Sequence, residues 1–309
     1  MTSTNDHKSY YEFAPLTVRS YHYHGFPNVV LLVVTDDRGL FQRIRESCPT
    51  TTTVIRVEPV SGIHTGVQAK CARMWYCSTM GSTPCMPVDI DTLVLNGTWL
   101  KQCVEAADPC KLTSNLSTDI YRFTCNANLG PGIPGKFPMP YVLGTGDVFK
   151  QFVNPWSAER FADLLTKLWP EAVCPGIDGK ENTLGPYTNF SDESLMRALM
   201  SRWTNRDLLW SQRPRLCHLN RTDPARAWDS GRLDELSPHC TDPAKKDENG
   251  VPVRDGFSNF SATDLHNKQY IDCSMPRPLS DHFDKPYVLA VIPQAVGCDV
   301  ETARKFLLS

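Results

Sequence analysis

The apolar positions of this chain fall into runs and stripes that alternate along its first third. Val29–Val34 reads VVLLVV, an unbroken run that marks a strand covered on both faces. A polar turn, TDDRG, follows it, and LFQRIRESC continues as a helix. Thr53–Val57 predicts a second strand. HTGVQAKCARMWYC then predicts a helix with Val67, Cys71 and Met74 on one stripe. VDIDTLVL, from Val88 to Leu95, predicts a third strand. Strand, helix, strand, helix, strand is the rhythm of an open, mostly parallel sheet with helices on both faces.

Beyond Leu95 the pattern loosens. Pro131, Pro134, Pro138 and Pro140 crowd around Gly130, Gly132 and Gly135, a density that forbids regular structure and predicts a long ordered loop. The loop ends in a short strand, YVLGTG, and Asp147 opens a helical stretch. NPWSAERFADLLTKLWPE predicts an amphipathic helix with Phe161, Leu164, Leu165 and Leu168 inward, stopped by Pro170. NFSDESLMRALMSRW predicts another, with acids in its first turn. YVLAVIPQAV (Tyr287–Val296) reads as a last strand before a short terminal helix at DVETARKFLL. Without repeats or a clear boundary, residues 1–309 read as one α/β domain: a stem or first strand at 1–28, a ligand-binding part at 29–150 and an irregular part at 151–309.

Composition narrows the class. A 309-residue chain with 41% hydrophobic and 21% charged residues can bury a full core. A net charge of -2 argues against a nucleic-acid binder, which needs a basic excess to neutralise phosphates. The 12 cysteines are dispersed with no CxxC pair, which fits disulfides in an oxidising compartment and a disulfide-pinned C-terminal half. Sequons at Asn96, Asn115, Asn189, Asn220 and Asn259 point the same way. The polar opening MTSTNDHKSYYEF is not a signal peptide, so the expectation is the luminal part of a type II anchored protein, in the Golgi or secreted. GxSxG and HExxH are both missing, which removes support for a secreted hydrolase.

The chemistry centres on DID. Asp89 and Asp91 stand i and i+2 on a predicted strand, so both face the same way, and like charges side by side require something to neutralise them. A divalent cation shared with a phosphate-bearing ligand would do so. In open α/β sheets ligands bind beyond the carboxyl ends of the strands, where TDD (Thr35, Asp36, Asp37) also ends its strand.

A buried strand ending in TDD, a helix, a second strand, a helix carrying Lys70, then DxD before an apolar strand resembles the nucleotide-sugar-dependent glycosyltransferases of the GT-A fold. The resemblance implies that Asp89 and Asp91 hold Mn²⁺ or Mg²⁺ against a donor diphosphate, with Thr35, Asp36, Asp37 and Lys70 lining the donor site. It implies that PMPYVLGTGDVF lines the sugar pocket, where Gly144 and Gly146 admit backbone close to the sugar. SDESL is similar to the helix start that carries a general base, making Asp192 or Glu193 the candidate. HFDKPY offers His282, and CHLNRTDPARAW offers His218, as rival third metal ligands. The implied partners are a nucleotide-sugar, with UDP-sugar favoured, and a glycan or protein acceptor. The competing expectation is a non-enzymatic, disulfide-rich glycoprotein ectodomain that binds a partner; such modules are more often antiparallel sandwiches.

Overall fold

A computed structural model describes residues 1–105, 109–114, 142–172, 199, 208–210, 217–219, 241–246, 252–254, 270–275, 277–284 and 286–307. Its first sheet is parallel, in the order β1 (Thr2–Asn5), β2 (Val30–Val34), β3 (Thr53–Val57). Along β2, Leu31 and Val33 enter one hydrophobic cluster, while Leu32 and Val34 enter a second on the opposite face. This period of two, with both faces apolar, is why the strand reads as a continuous run.

Helices cover both faces, as expected. Tyr21, Leu16 and Val18 of α2 (Ala14–Tyr23) pack into the first cluster, after the short α1 (Lys8–Tyr11). On the other face, α4 (Thr65–Cys77) lies against β1 and β2 with Val67, Cys71 and Met74 buried. The helix α3 (Arg38–Ser47) joins β2 to β3 and buries Leu40 and Ile44.

After α4 the chain crosses back past β1. Strand β4 (Pro84–Cys85) pairs antiparallel with β7 (Val142–Thr145). Just beyond it, the Met1 nitrogen donates to the Met86 carbonyl at 2.8 Å, and the Val88 N–H donates to the Met1 carbonyl at 2.8 Å. Those two bonds are the parallel-bridge pattern. Residues 84–88 therefore continue the parallel sheet on the side of β1 away from β2. Strand order reverses at β1.

The remaining described elements complete the molecule. A four-stranded sheet runs β4, β7, β6 (Leu112–Ser114), β8 (Leu208–Trp210), and a smaller one runs β5 (Thr92–Val94), β12 (Tyr270–Ser274), β9 (Cys217–Leu219). Strands β10 (Thr241–Lys246) and β11 (Pro252–Arg254) form a separate antiparallel pair. Helix α5 (Gly97–Glu105) follows β5, and α6 (Gly146–Val153) and α7 (Phe161–Ala172) pack with α4.

Thr2–Asn5, within the stretch read as a stem or first strand, is a wholly buried strand. Three expectations are corrected. The strand expected over Val88–Leu95 is confined to β5 (Thr92–Val94), antiparallel to β12, and Asp89 and Asp91 precede it. Helix α7 runs through Pro170 to Ala172, because a proline in the last turn removes only one helical hydrogen bond. The run Tyr287–Val296 is not a strand but most of helix α8 (Pro286–Val296), which opens with a proline and buries Val288, Val291, Ile292 and Ala295. That spacing is helical, and a short apolar run does not by itself separate strand from helix. The chain then ends in α9 (Val300–Arg304), capped by Asp299. Disulfide pinning is not shown: Cys48, Cys71, Cys77, Cys85 and Cys298 are unbridged thiols. Among the described residues no helix is long and apolar enough to cross a membrane.

Candidate active site

A reversal of strand order opens a crevice outside the carboxyl ends of the two central parallel strands. Here those ends belong to β1 and to the strand 84–88. The first presents Asn5 and Asp6, and the second leads directly into Asp89 and Asp91. Asn5 Nδ2 donates to Thr65 Oγ1 at 3.2 Å, and that hydroxyl donates to Asp6 Oδ1 at 2.7 Å, tying the N-terminus of α4 to the carboxyl end of β1. His64 caps the same helix, its Nδ1 accepting the Gly66 N–H at 3.1 Å. The buried Gln68 amide holds the preceding loop through Val60 and Ile63.

The charges of the DID segment are answered by arginines. Asp89 Oδ1 pairs with Arg73 Nη1 at 2.7 Å, the arginine 3% exposed and the aspartate 45%. Asp91 Oδ2 pairs with Arg277 Nε at 3.2 Å. The Arg277 guanidinium also lies 4.7 Å from the centre of the Tyr10 ring, a cation–π distance. Helix α2 fixes the backbone between and after the acids: the Thr17 hydroxyl donates to the Ile90 carbonyl, and the Val94 N–H, three residues beyond Asp91, donates to Ser20 Oγ at 3.3 Å. The buried Glu12 carboxylate accepts the N–H groups of Leu279 and Ser280, anchoring the segment that carries Arg277.

A third acid stands behind them. Asp272, on β12, is pushed well above the usual carboxylate range by burial, and the Asp89 charge pushes it further. Burial likewise drives the Tyr21 hydroxyl up, with Asp272 and Asp89 adding to it. Burial and the Asp89 charge thus both favour the protonated form of Asp272.

The other sequence candidates fall in distinct places. Thr35 is buried at the end of β2, its Oγ1 accepting the Asp37 N–H at 3.0 Å. Asp37 caps α3 by accepting the Leu40 N–H at 2.9 Å, whereas Asp36 is exposed at the strand end. Lys70 lies half-buried on α4, one turn before Arg73, and it is Arg73 that meets the DID acids. His282 sits in the turn that follows Arg277. Among the described residues no three His, Cys, Asp or Glu side chains converge as a metal-ligand set. His218 lies on β9, in register with Asp272. Asp192 and Glu193 lie outside the described residues.

Gly144 and Gly146 pack closely against protein. A Cβ on Gly144 would meet Leu112 at 3.1 Å, and one on Gly146 would stand 2.6 Å from the Gly81 nitrogen and 2.7 Å from the Cys77 carbonyl oxygen. On that side the missing Cβ admits protein backbone and side chains. Gly146 meets the C-terminal end of α4, about 20 Å along that 13-residue helix from Thr65.

The donor set fits a hard divalent cation. Two carboxylates suffice for Mg²⁺ or Mn²⁺, which keep waters and take substrate phosphate oxygens for the rest. A carboxylate offers about four lone-pair directions, so a guanidinium contact leaves it able to ligate. Arg73, Arg277, Thr17 and Ser20 escape a motif search because they lie far from DID in sequence; an arginine beside the apolar stripe of α4 was the one available sign.

No protein-family model matches the sequence, and no curated protein matches it. Among solved structures, the chain resembles the galactosyltransferase LgtC in complex with donor and acceptor sugar analogues, at 12% identity and TM-score 0.48, covering 99% of both chains. It also resembles an active-site mutant of LgtC, at 12% identity and TM-score 0.49, covering 96% of this chain and 94% of that one. The functional reading rests on the placement and partners of Asp89 and Asp91.

Proposed function

We propose that the chain is a metal-dependent glycosyltransferase that takes a sugar from a nucleotide-sugar, with UDP-sugar as the favoured donor, and passes it to a glycan or protein hydroxyl. The observation that carries this reading is the placement of Asp89 and Asp91 directly after the strand that flanks β1 at the reversal of strand order. Crevices of that kind receive nucleotides and their phosphates.

Asp89 and Asp91 would hold Mn²⁺ or Mg²⁺, which when bound supplies Lewis-acid neutralisation of the departing diphosphate. The chain's own groups do the positioning. Arg73 orients Asp89 from the buried side, and Arg277 orients Asp91 while resting on Tyr10. The Thr17 hydroxyl holds the backbone between the acids and that of Ser20 the strand after them, so the two carboxylates do not have to be ordered anew when the donor arrives. Asp36 and the Asn5–Thr65–Asp6 chain border the crevice on the side of β1 and β2. Asp192 or Glu193 would accept the proton of the acceptor hydroxyl, and His282 or His218 would complete the donor side. A site of action in the lumen of the secretory pathway, or outside the cell, agrees with the sequons.

A melting series with nucleoside diphosphates, with and without Mn²⁺, tests the reading without knowledge of the acceptor. Ligand at 100 times its Kd stabilises the native state by about 2.7 kcal/mol, a clear rise in Tm. The expected result is a rise that requires both diphosphate and metal and is lost in D89N and D91N. A flat series across all diphosphates would remove the proposal.

A further inference from the structure

Two cysteines face each other at the far end of α4. Cys77 closes that helix and Cys85 lies on β4, both buried, and their thiols are close enough to interact. The sulfur of Met1 packs 3.7 Å from Cys77 Sγ, and Cys85 Sγ donates to the Thr83 carbonyl at 3.3 Å. Arg73 stands four residues before Cys77, and Asp89 four after Cys85. The Arg73–Asp89 ion pair and the Cys77–Cys85 thiol pair thus join the same two segments, like successive rungs.

We infer that Cys77 and Cys85 form a covalent modification site, oxidised to an intramolecular disulfide by a small-molecule disulfide of the glutathione type. The exchange balances in two steps. The Cys85 thiolate attacks one sulfur of oxidised glutathione, forming a mixed disulfide and expelling a glutathione thiolate, which takes up a proton. Cys77 then gives up its proton, its sulfur attacks Cys85 Sγ, and the second glutathione leaves as a thiol. Two protein hydrogens are lost, and one disulfide is reduced to two thiols.

The neighbouring Cys77 thiol lowers the Cys85 thiol below its usual range, while burial drives Cys77 up. Cys85 is accordingly the attacking sulfur and Cys77 the resolving one. The exposed residues Ser82, Thr83 and Pro84 place the turn before Cys85 at the surface, where a reagent can reach it. The bridge would close the 78–84 turn and hold the approach to Asp89 against α4.

The whole chain is equilibrated in buffers from reduced to oxidised glutathione, alkylated with iodoacetamide in denaturant, and digested with trypsin. The peptide Met74–Lys101 contains both Cys77 and Cys85 and no other cysteine. In oxidised buffer it is expected unalkylated and two hydrogens lighter; after reduction it is expected to carry two alkyl groups. Two alkyl groups in the fully oxidised buffer, or a stable glutathione adduct that never closes, would overturn the inference. The experiment involves no sugar donor, so its failure is distinct from failure of the proposed activity.

Discussion

The two ends of α4 are built from opposite chemistry. At its N-terminus, Asn5, Asp6, His64 and Thr65 exchange side-chain hydrogen bonds beside the carboxyl end of β1. At its C-terminus, Gly146 brings backbone against backbone, its N–H reaching the Thr83 carbonyl at 3.1 Å, and Asp147 reaches Gly81 at 2.7 Å. The first end holds groups that can trade a protein partner for a ligand. The second is held by backbone contacts, and Gly146 packs where a Cβ would meet the Gly81 nitrogen and the Cys77 carbonyl oxygen. The two ends of one helix do different work, because only one of them lies beside the carboxyl end of β1.

Substitutions can break this contrast. The largest loss is expected from Phe149→Ala at the packed end: its ring is fully buried on α6, and the cavity should cost about 4 kcal/mol in urea unfolding. Next comes Gly146→Ala, where a methyl group would press on backbone atoms; about 2 kcal/mol of stability should disappear with diphosphate affinity unchanged. Thr65→Val at the polar end removes a hydroxyl that joins Asn5 to Asp6, for about 1 kcal/mol. Unlike Gly146→Ala, it should also weaken diphosphate binding, about fivefold by calorimetry. If instead the packed-end variants weakened binding and Thr65→Val did not, the contrast would be reversed. Asp37→Ala should have the smallest effect, about 0.5–1 kcal/mol for a lost helix cap, with no change in affinity.

Legibility in the sequence followed the physics of each element. β2, β3 and α4 could be read because a doubly covered strand and an amphipathic helix leave unmistakable spacings. β1 could be read only as a stem or first strand without bounds: Thr2, Ser3, Thr4 and Asn5 are polar yet buried, since neighbouring strands satisfy their backbone. α8 hid its helical stripe inside an apolar run. Of the candidate site, Asp89 and Asp91 were visible as a pair, and the question of what balances their charge was visible too. The arginines that do so come from α4 and from a segment almost two hundred residues away, and such pairings are written only in the fold. Asp37 shows the converse, a motif residue whose observed task is to cap a helix.

The central claim is that Asp89 and Asp91, at the tip of the strand beside β1, hold a metal-bound nucleoside diphosphate. Calorimetric titration of UDP into the wild-type chain and the D91N variant, each with Mn²⁺ and again with the metal chelated, tests it most directly. Binding confined to the wild-type chain with Mn²⁺, and at least tenfold weaker in the other three arms, is the predicted result. Equal affinity in all four, or no heat in any, would contradict it.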